Sequence, residues 1–114
     1  MNEGDIVLTP LPQADGKTKP RPALVLRKMP PFGDFLVCGI SSQLRQGVYG
    51  FDEWLETTDA DFAESGLLVS SVIRLGFLAI LPKTRIIGTI GHVSYDRHEA
   101  LLHRLSDYLV SKRP

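Results

Sequence analysis

Two short polar motifs in this 114-residue chain carry residue types suited to phosphate chemistry. In the first, Arg21 stands between two prolines in the run Lys19-Pro20-Arg21-Pro22, directly before the apolar run Ala23-Leu24-Val25-Leu26. The prolines restrict the backbone on both sides of the arginine. The second motif, Ser41-Ser42-Gln43, places two hydroxyls and an amide at the end of another apolar run. A fixed guanidinium beside a hydroxyl suits a phosphate group, so the pair predicts RNA or another phosphodiester as ligand.

The charge of the chain is balanced but unevenly distributed. Lys+Arg and Asp+Glu number 13 each, whereas proteins that coat nucleic acid without sequence preference carry a basic excess. Residues 17–28 hold five basic side chains and no acid, and residues 52–64 hold six acids and no base. Segregated charge of this kind predicts a local basic site and excludes a generic DNA-coating protein.

Composition limits the class of protein further. The length predicts a single domain over residues 1–114, and the lone Cys38 excludes an intramolecular disulfide and a cysteine-rich metal site. Cys38 alternates with apolar residues and is expected to be buried. No run reaches the ~18 apolar residues of a membrane span, and the start of the chain is acidic where a signal peptide is basic. A cytoplasmic protein without metal or cofactor is expected, because no His, Cys, Asp or Glu cluster has ligand spacing.

The chain contains many short apolar segments separated by turn residues, followed by one amphipathic segment. Strands are predicted at 5–8, 23–26, 35–40, 48–54, 77–81 and 85–90, with a further apolar run at 67–73. Ser94 is placed to cap a helix whose apolar positions repeat at three and four: Leu101, Leu102, Leu105, Tyr108 and Leu109. This pattern predicts a mainly β chain with a C-terminal α-helix, folded as a small, highly curved β-barrel with the helix across it.

These motifs, in this order, resemble the MazF/PemK family of toxin endoribonucleases, and the resemblance covers nearly the whole chain. The matching pieces are Gly4-Asp5-Ile6-Val7, the run from Arg21 to Leu26, Ser41-Ser42-Gln43, Gly66-Leu67-Leu68 through Ser71-Val72-Ile73-Arg74-Leu75, and Ile90-Gly91-His92-Val93-Ser94. The resemblance implies an SH3-like barrel that forms a homodimer and cleaves single-stranded RNA, often messenger RNA, without a metal. It also implies a growth-inhibiting toxin that is neutralised by a cognate antitoxin, whose acidic tail fills the RNA groove.

The resemblance places the catalytic roles on Arg21 and Ser41. The guanidinium of Arg21 suits stabilisation of charge on the phosphorane, with help in protonating the leaving 5′-oxygen, and it is a poor general base. Ser41 would donate to a phosphate oxygen or orient the attacking 2′-hydroxyl. Without the other motifs, Arg21 would read as a solvated arginine beside a turn, and Ser41 as a strand-end hydroxyl bonded to local backbone.

A second set of residues is expected to contact RNA rather than to catalyse its cleavage. It consists of Lys17, Lys19, Arg27, Lys28, Ser42, Gln43 and Ser71. Several relatives place an aspartate near the position of Ser71, and serine is no base at neutral pH without an activating partner. This departure keeps a second interpretation open, in which the barrel binds RNA or antitoxin but cleaves weakly or not at all. A third interpretation is a purely structural barrel domain that neither binds nor cleaves RNA.

Histidines and aromatic residues offer weaker alternatives. Imidazoles are natural acid and base groups in RNA cleavage. His98 and His103, however, lie roughly 140° apart around a helix and are expected to be solvated, which leaves His92 as a candidate. Phe51 and Trp54 would either stack on bases or pack in the core, with the core favoured for Phe51.

Overall fold

The computed structural model describes residues 1–12 and 15–113. Six strands and one α-helix follow one another in the chain. They are β1 (Asp5–Pro12), β2 (Thr18–Met29), β3 (Asp34–Ser41), β4 (Glu53–Leu55), β5 (Ser71–Leu81), β6 (Gly88–His92) and α1 (Tyr95–Val110). Single 3-10 turns lie at Leu44–Gln46, Ala63–Ser65 and Lys83–Arg85. No helix among the described residues is long and apolar enough to cross a membrane.

The strands form one antiparallel sheet in the order β4-β5-β3-β2-β1-β6, which curls into a half-barrel. Apolar side chains are buried on both faces, which explains the continuous apolar run of β2. Leu24 and Leu26 enter the main core, while Ala23 and Val25 enter a second cluster on the opposite face. The mainly β architecture with a C-terminal helix is as predicted.

Helix α1 covers the main-core face of the sheet. Leu101 and Leu105, one turn apart, are buried in that core. The helix begins after Ser94, whose Oγ accepts a hydrogen bond from the backbone N–H of Arg97 at 3.2 Å. The predicted cap is therefore confirmed. The predicted apolar stripe is confirmed at Leu101 and Leu105, whereas Tyr108 and Leu109 at its end are exposed.

The predicted strand at 48–54 is mostly wrong. Only its last residues belong to β4, because the chain turns at Gly50 with φ +83°. Asp52 stabilises the turn: its carboxylate accepts the N–H of Val48 at 2.8 Å and that of Leu75 at 2.9 Å. A buried carboxylate with two backbone donors makes this segment a fixed loop rather than a strand.

Two other predicted segments also differ from the structure. The end of the apolar run at 67–73 and the run at 77–81 belong to one bent strand, β5, which begins only at Ser71. The strand bulges where Cys38 pairs with Leu78 and the next residue of β3, Gly39, pairs with Arg74. The segment predicted as a strand at 85–90 is divided between the 3-10 turn Lys83–Arg85 and β6.

Candidate nucleic-acid interface

Pro22 ends the hydrogen-bonded ladder between β2 and β3. The backbone N–H of Gly4 donates to the carbonyl of Val25 at 2.8 Å, so the peptide groups of Val25 face β1. Backbone groups alternate between the two edges of a strand, and those of Pro22, three residues earlier, therefore face β3. Proline has no N–H to donate. The pairing of the two strands accordingly stops at Ala23 and Gly39.

Arg21 and Ser41 lie just beyond this last pair, on the same face of the sheet. Each is two residues from a member of the Ala23–Gly39 pair, and residues two apart in a strand share a face. Both side chains are partly buried. Arg21 is positioned from the other side by its pairing with Thr9 of β1. The prolines thus leave a gap between two strands, with a guanidinium on one side and a hydroxyl on the other.

The hydroxyl of Ser41 has a defined orientation. Its Oγ accepts the backbone N–H of Gln43 at 3.0 Å, as sequence reasoning allowed for a strand-end serine. This bond occupies an oxygen lone pair but not the hydroxyl proton, which stays able to donate to a ligand oxygen. Ser42 and Gln43 follow directly after β3 and are exposed.

Most of the basic stretch at 17–28 belongs to β2, and its basic side chains lie at the two opposite ends of this strand. Lys17 and Lys19 are exposed at the end of β2 that carries Arg21. Arg27 lies six residues further along, roughly 20 Å away at the rise of an extended strand. Lys17 and Lys19 therefore lie near Arg21, whereas Arg27 and Lys28 lie far from it.

Glu3 binds the two basic residues at the far end of β2, Arg27 and Lys28. Its Oε2 accepts from Arg27 Nε at 3.0 Å and from the backbone N–H of Lys28 at 2.9 Å. Burial opposes ionisation of Glu3, but these hydrogen bonds and the charge of Arg27 lower its pKa overall. Arg27 is partly neutralised, which weakens the expectation that it contacts RNA.

Ser71 does not reach the gap. Ser71 is 3 % exposed, and its Oγ donates to the carbonyl of Val69 at 2.9 Å. The neighbouring Val72 is the residue that pairs with Ser41, so Ser71 points to the opposite, main-core face with Ile73. The structure therefore separates Ser71 from Arg21 and Ser41.

Arg97 is a structural cation that sequence reasoning missed. Its guanidinium donates to Glu53 at 2.6 Å, to Asp59 at 3.1 Å and to Asp61 at 2.8 Å, and its side chain is 14 % exposed. Hydrogen bonding from Arg97 lowers the pKa of Asp61 to about 2, against the effect of burial. Burial would lower the pKa of Arg97 itself, but Asp61, Glu53 and Asp59 raise it overall.

This cluster explains how a neutral chain can keep a basic face. Arg97, near the start of α1, forms ion pairs with three carboxylates of the acidic stretch 52–64. These ion pairs lie on the main-core side of the sheet. Arg21 lies on the opposite side. The signal in the sequence was the acidic run itself, some of whose carboxylates become partly buried on folding and are then paired with a cation.

The histidines lie away from the gap. His98 is partly buried on α1, with Nε2 2.9 Å from the carbonyl of Leu26, so its predicted solvation is wrong. His103 is exposed on the same helix. His92 is exposed and pairs with Asp5, at the far end of β1 from Thr9.

The remaining candidates are structural. Phe51 packs on the main core and contacts the ring of Tyr108, with 5.0 Å between centroids. Trp54 lies beneath Gly47 and donates from Nε1 to the carbonyl of Leu44 at 3.0 Å. Cys38 is buried as expected, and burial, with the charge of Asp52, raises the pKa of its thiol to about 12.

Within residues 1–12 and 15–113, no three His, Cys, Asp or Glu side chains are grouped to hold a metal ion. The chemistry available at the gap is that of Arg21, Ser41 and the neighbouring lysines. A cation and a hydroxyl donor at one sheet face suit the oxygens of a phosphodiester.

A curled antiparallel half-barrel with one C-terminal helix and this basic gap defines the class of fold to which the chain belongs. Residues 2–109 match the family model described as PemK-like, MazF-like toxin of type II toxin-antitoxin system. The protein is therefore a member of that toxin family. Comparison with curated proteins gave no significant match.

Proposed function

We propose that this protein is a sequence-selective, metal-independent endoribonuclease toxin that cleaves single-stranded RNA, messenger RNA above all. The observation that carries the proposal is the placement of Arg21 and Ser41 on one face of the sheet, beyond the end of the β2–β3 ladder. Membership in a family of type II toxins supports it.

In the proposed reaction, the 2′-hydroxyl of a nucleotide attacks the adjacent phosphorus, and the bond to the 5′-oxygen breaks. The guanidinium of Arg21 stabilises the negative charge that builds on the phosphorane oxygens. Ser41 donates its hydroxyl proton to a phosphate oxygen or orients the 2′-hydroxyl. The attacking 2′-hydroxyl loses its proton to solvent and the departing 5′-oxygen gains one with help from Arg21, so the products are a 2′,3′-cyclic phosphate and a 5′-hydroxyl end. Lys17 and Lys19 attract the flanking phosphates.

The proposal includes the assembly and the partners of the toxin. Residues 1–114 form one domain that pairs as a homodimer, and a cognate antitoxin with an acidic tail neutralises it by occupying the basic gap. The family supports an antitoxin partner. Because the substrate would be messenger RNA, we place the activity in the cytoplasm.

The test incubates the purified protein with long unstructured RNA in the presence of a chelator, and with the same sequence made fully 2′-O-methylated. We expect cleavage of the first RNA only, with cyclic phosphate and 5′-hydroxyl ends. Intact RNA at stoichiometric excess of protein would contradict the proposal. Cleavage of the methylated RNA would contradict the attack by the 2′-hydroxyl.

One observation favours a second candidate, a binding module with weak or absent cleavage. Ser71, near the position where several relatives carry an aspartate, is buried and bonded to Val69. The five face positions around the gap, residues 21, 39, 41, 72 and 74, include no carboxylate that could act as base. RNA that is bound but never shortened on incubation would support this module over the nuclease.

A further inference from the structure

We propose that prolines close the β1–β2 arm to β-strand addition and so keep a second copy of this chain from pairing with its open edges. The arm consists of residues 9–12 of β1 and the residues 18–21 of β2 that pair with them. This device acts on association of the folded protein and is independent of the chemistry at the gap.

The arm projects beyond its neighbouring strands. β6 pairs with β1 only up to Leu8, and β3 pairs with β2 only up to Ala23. β1 and β2 go on pairing with each other as far as Pro12 and Thr18. Among the described strands, none therefore pairs with either outer edge of the arm. An unpaired edge of this kind normally offers backbone donors and acceptors to another strand.

The register fixes which backbone groups lie on these outer edges. The carbonyl of Leu8 accepts the N–H of Ile87 at 2.8 Å and so faces β6, and the groups of residues 10 and 12 face the same way. The groups of Val25 face β1, so those of residues 18, 20 and 22 face away from it. The outward positions are Pro10, Pro12, Thr18, Pro20 and Pro22. Four of these five are prolines, which have no N–H to offer to an added strand.

The prolines act on the outer edges without weakening the arm itself. Pro10 and Pro20 stand directly opposite each other in the register. Because the backbone groups of both residues point outward, neither proline removes a hydrogen bond between β1 and β2. The two strands are held together at the alternate pairs, such as Thr9 with Arg21.

The two outermost strands of the sheet are protected in other ways. β4 has three residues and is too short to support a long added strand. β6 packs against the 3-10 turn Ala63–Ser65, where the absence of a Cβ atom at Gly66 and at Gly91 lets the two backbones approach closely. The arm has neither protection, and its prolines supply a third.

The experiment restores the two N–H groups of the β1 edge with the double variant Pro10→Ala/Pro12→Ala. The β1 edge is chosen because Pro22 would still block the β2 edge in a Pro20→Ala variant. Amide hydrogen exchange at residues 10 and 12 is measured from micromolar to millimolar concentration, with sedimentation velocity on the same samples.

We expect exchange at residues 10 and 12 to slow by about tenfold as the concentration rises, because each restored N–H forms an intermolecular hydrogen bond. Sedimentation should show a species larger than any that the wild type forms. The control is Pro82→Ala, in an exposed position outside the strands. It should keep the wild-type assembly and exchange fast at residue 82 at every concentration.

Fast exchange in the double variant, with wild-type sedimentation at every concentration, would overturn the proposal. Lys17 and Lys19 stay in place in this variant, so that result would assign the protection to their charge. Slow exchange that does not change with concentration would also overturn it, because the chain itself would then cover this edge. If the alanine variant does not fold, Pro10→Thr/Pro12→Thr restores the same N–H groups with residues that favour strands, and the same outcomes decide.

Discussion

Arg21 and Ser41 stand on one face of the sheet, each two residues past the Ala23–Gly39 pair that ends the β2–β3 ladder. The ladder ends there because Pro22 turns a nitrogen without a hydrogen toward β3. The proline frame around Arg21 therefore does more than stiffen the chain. It keeps open the space between a guanidinium and a hydroxyl.

The role of Pro22 is testable by restoring its hydrogen-bond donor. In Pro22→Ala, the new amide faces the carbonyl of Ile40, and the ladder can extend across the gap. We expect slow hydrogen exchange at residue 22 and lower RNA cleavage. Pro20→Ala is the matched control. The new amide at residue 20 points to the same edge of β2, but no strand of the described chain pairs with that edge there, so this amide should exchange fast. Fast exchange at both positions would contradict the account.

The hydroxyl of Ser41 is expected to act through its proton. Ser41→Ala should lower kcat by about 10²-fold, the usual cost of removing one transition-state donor. Ser41→Thr keeps the hydroxyl and should retain most of the activity. Single-turnover cleavage rates compare the two variants. Equal losses in both would show that side-chain shape, not the hydroxyl, matters at this position.

The carboxylate cluster around Arg97 is expected to carry stability rather than activity. Arg97→Met leaves Glu53, Asp59 and Asp61 without their cation, which should cost about 3–5 kcal/mol in the free energy of unfolding. Urea denaturation measures the loss. Arg113 is exposed and has no acidic partner in the described part of the chain, so Arg113→Gln should change stability by less than about 0.5 kcal/mol.

The same cluster predicts a pH dependence with a definite sign. The pKa of Asp61 is about 2 in the folded protein, below its ordinary value of 3.8, chiefly because Arg97 hydrogen-bonds to it, so the folded state favours the ionised form. The stabilisation is fully present above about pH 5 and is lost as the pH falls toward 2; it is on the order of 2 kcal/mol.

Asp61→Asn should therefore be less stable than wild type at pH 6, and the difference should shrink between pH 4 and pH 2. Urea unfolding across this range measures it. The exposed Glu56→Gln serves as control and should show no such convergence. A difference that stays constant with pH would contradict the assignment of the effect to ionised Asp61.

Local patterns were enough to predict the general architecture. The apolar runs and turn residues indicated a curved β fold, and the cap at Ser94 with its apolar stripe indicated the terminal helix. The motifs around Arg21 and Ser41 indicated the family, which the match over residues 2–109 confirms. Each of these signals lies within a few neighbouring residues.

Features that depend on distant partners were not predictable. The face to which Ser71 points depends on its register with β3 and β4, and a shift of one residue reverses it. The bulge that joins two apolar runs into β5 likewise exists only through pairing with β3. Arg97 meets its carboxylates only because α1 packs against the acidic segment.

The central claim is that Arg21 stabilises the charge of the reacting phosphate, and the single-turnover cleavage rate of Arg21→Ala tests it most directly. The account predicts a loss of about 10²–10³-fold, with an unfolding midpoint close to that of the wild type. Wild-type cleavage by a correctly folded Arg21→Ala protein would contradict it.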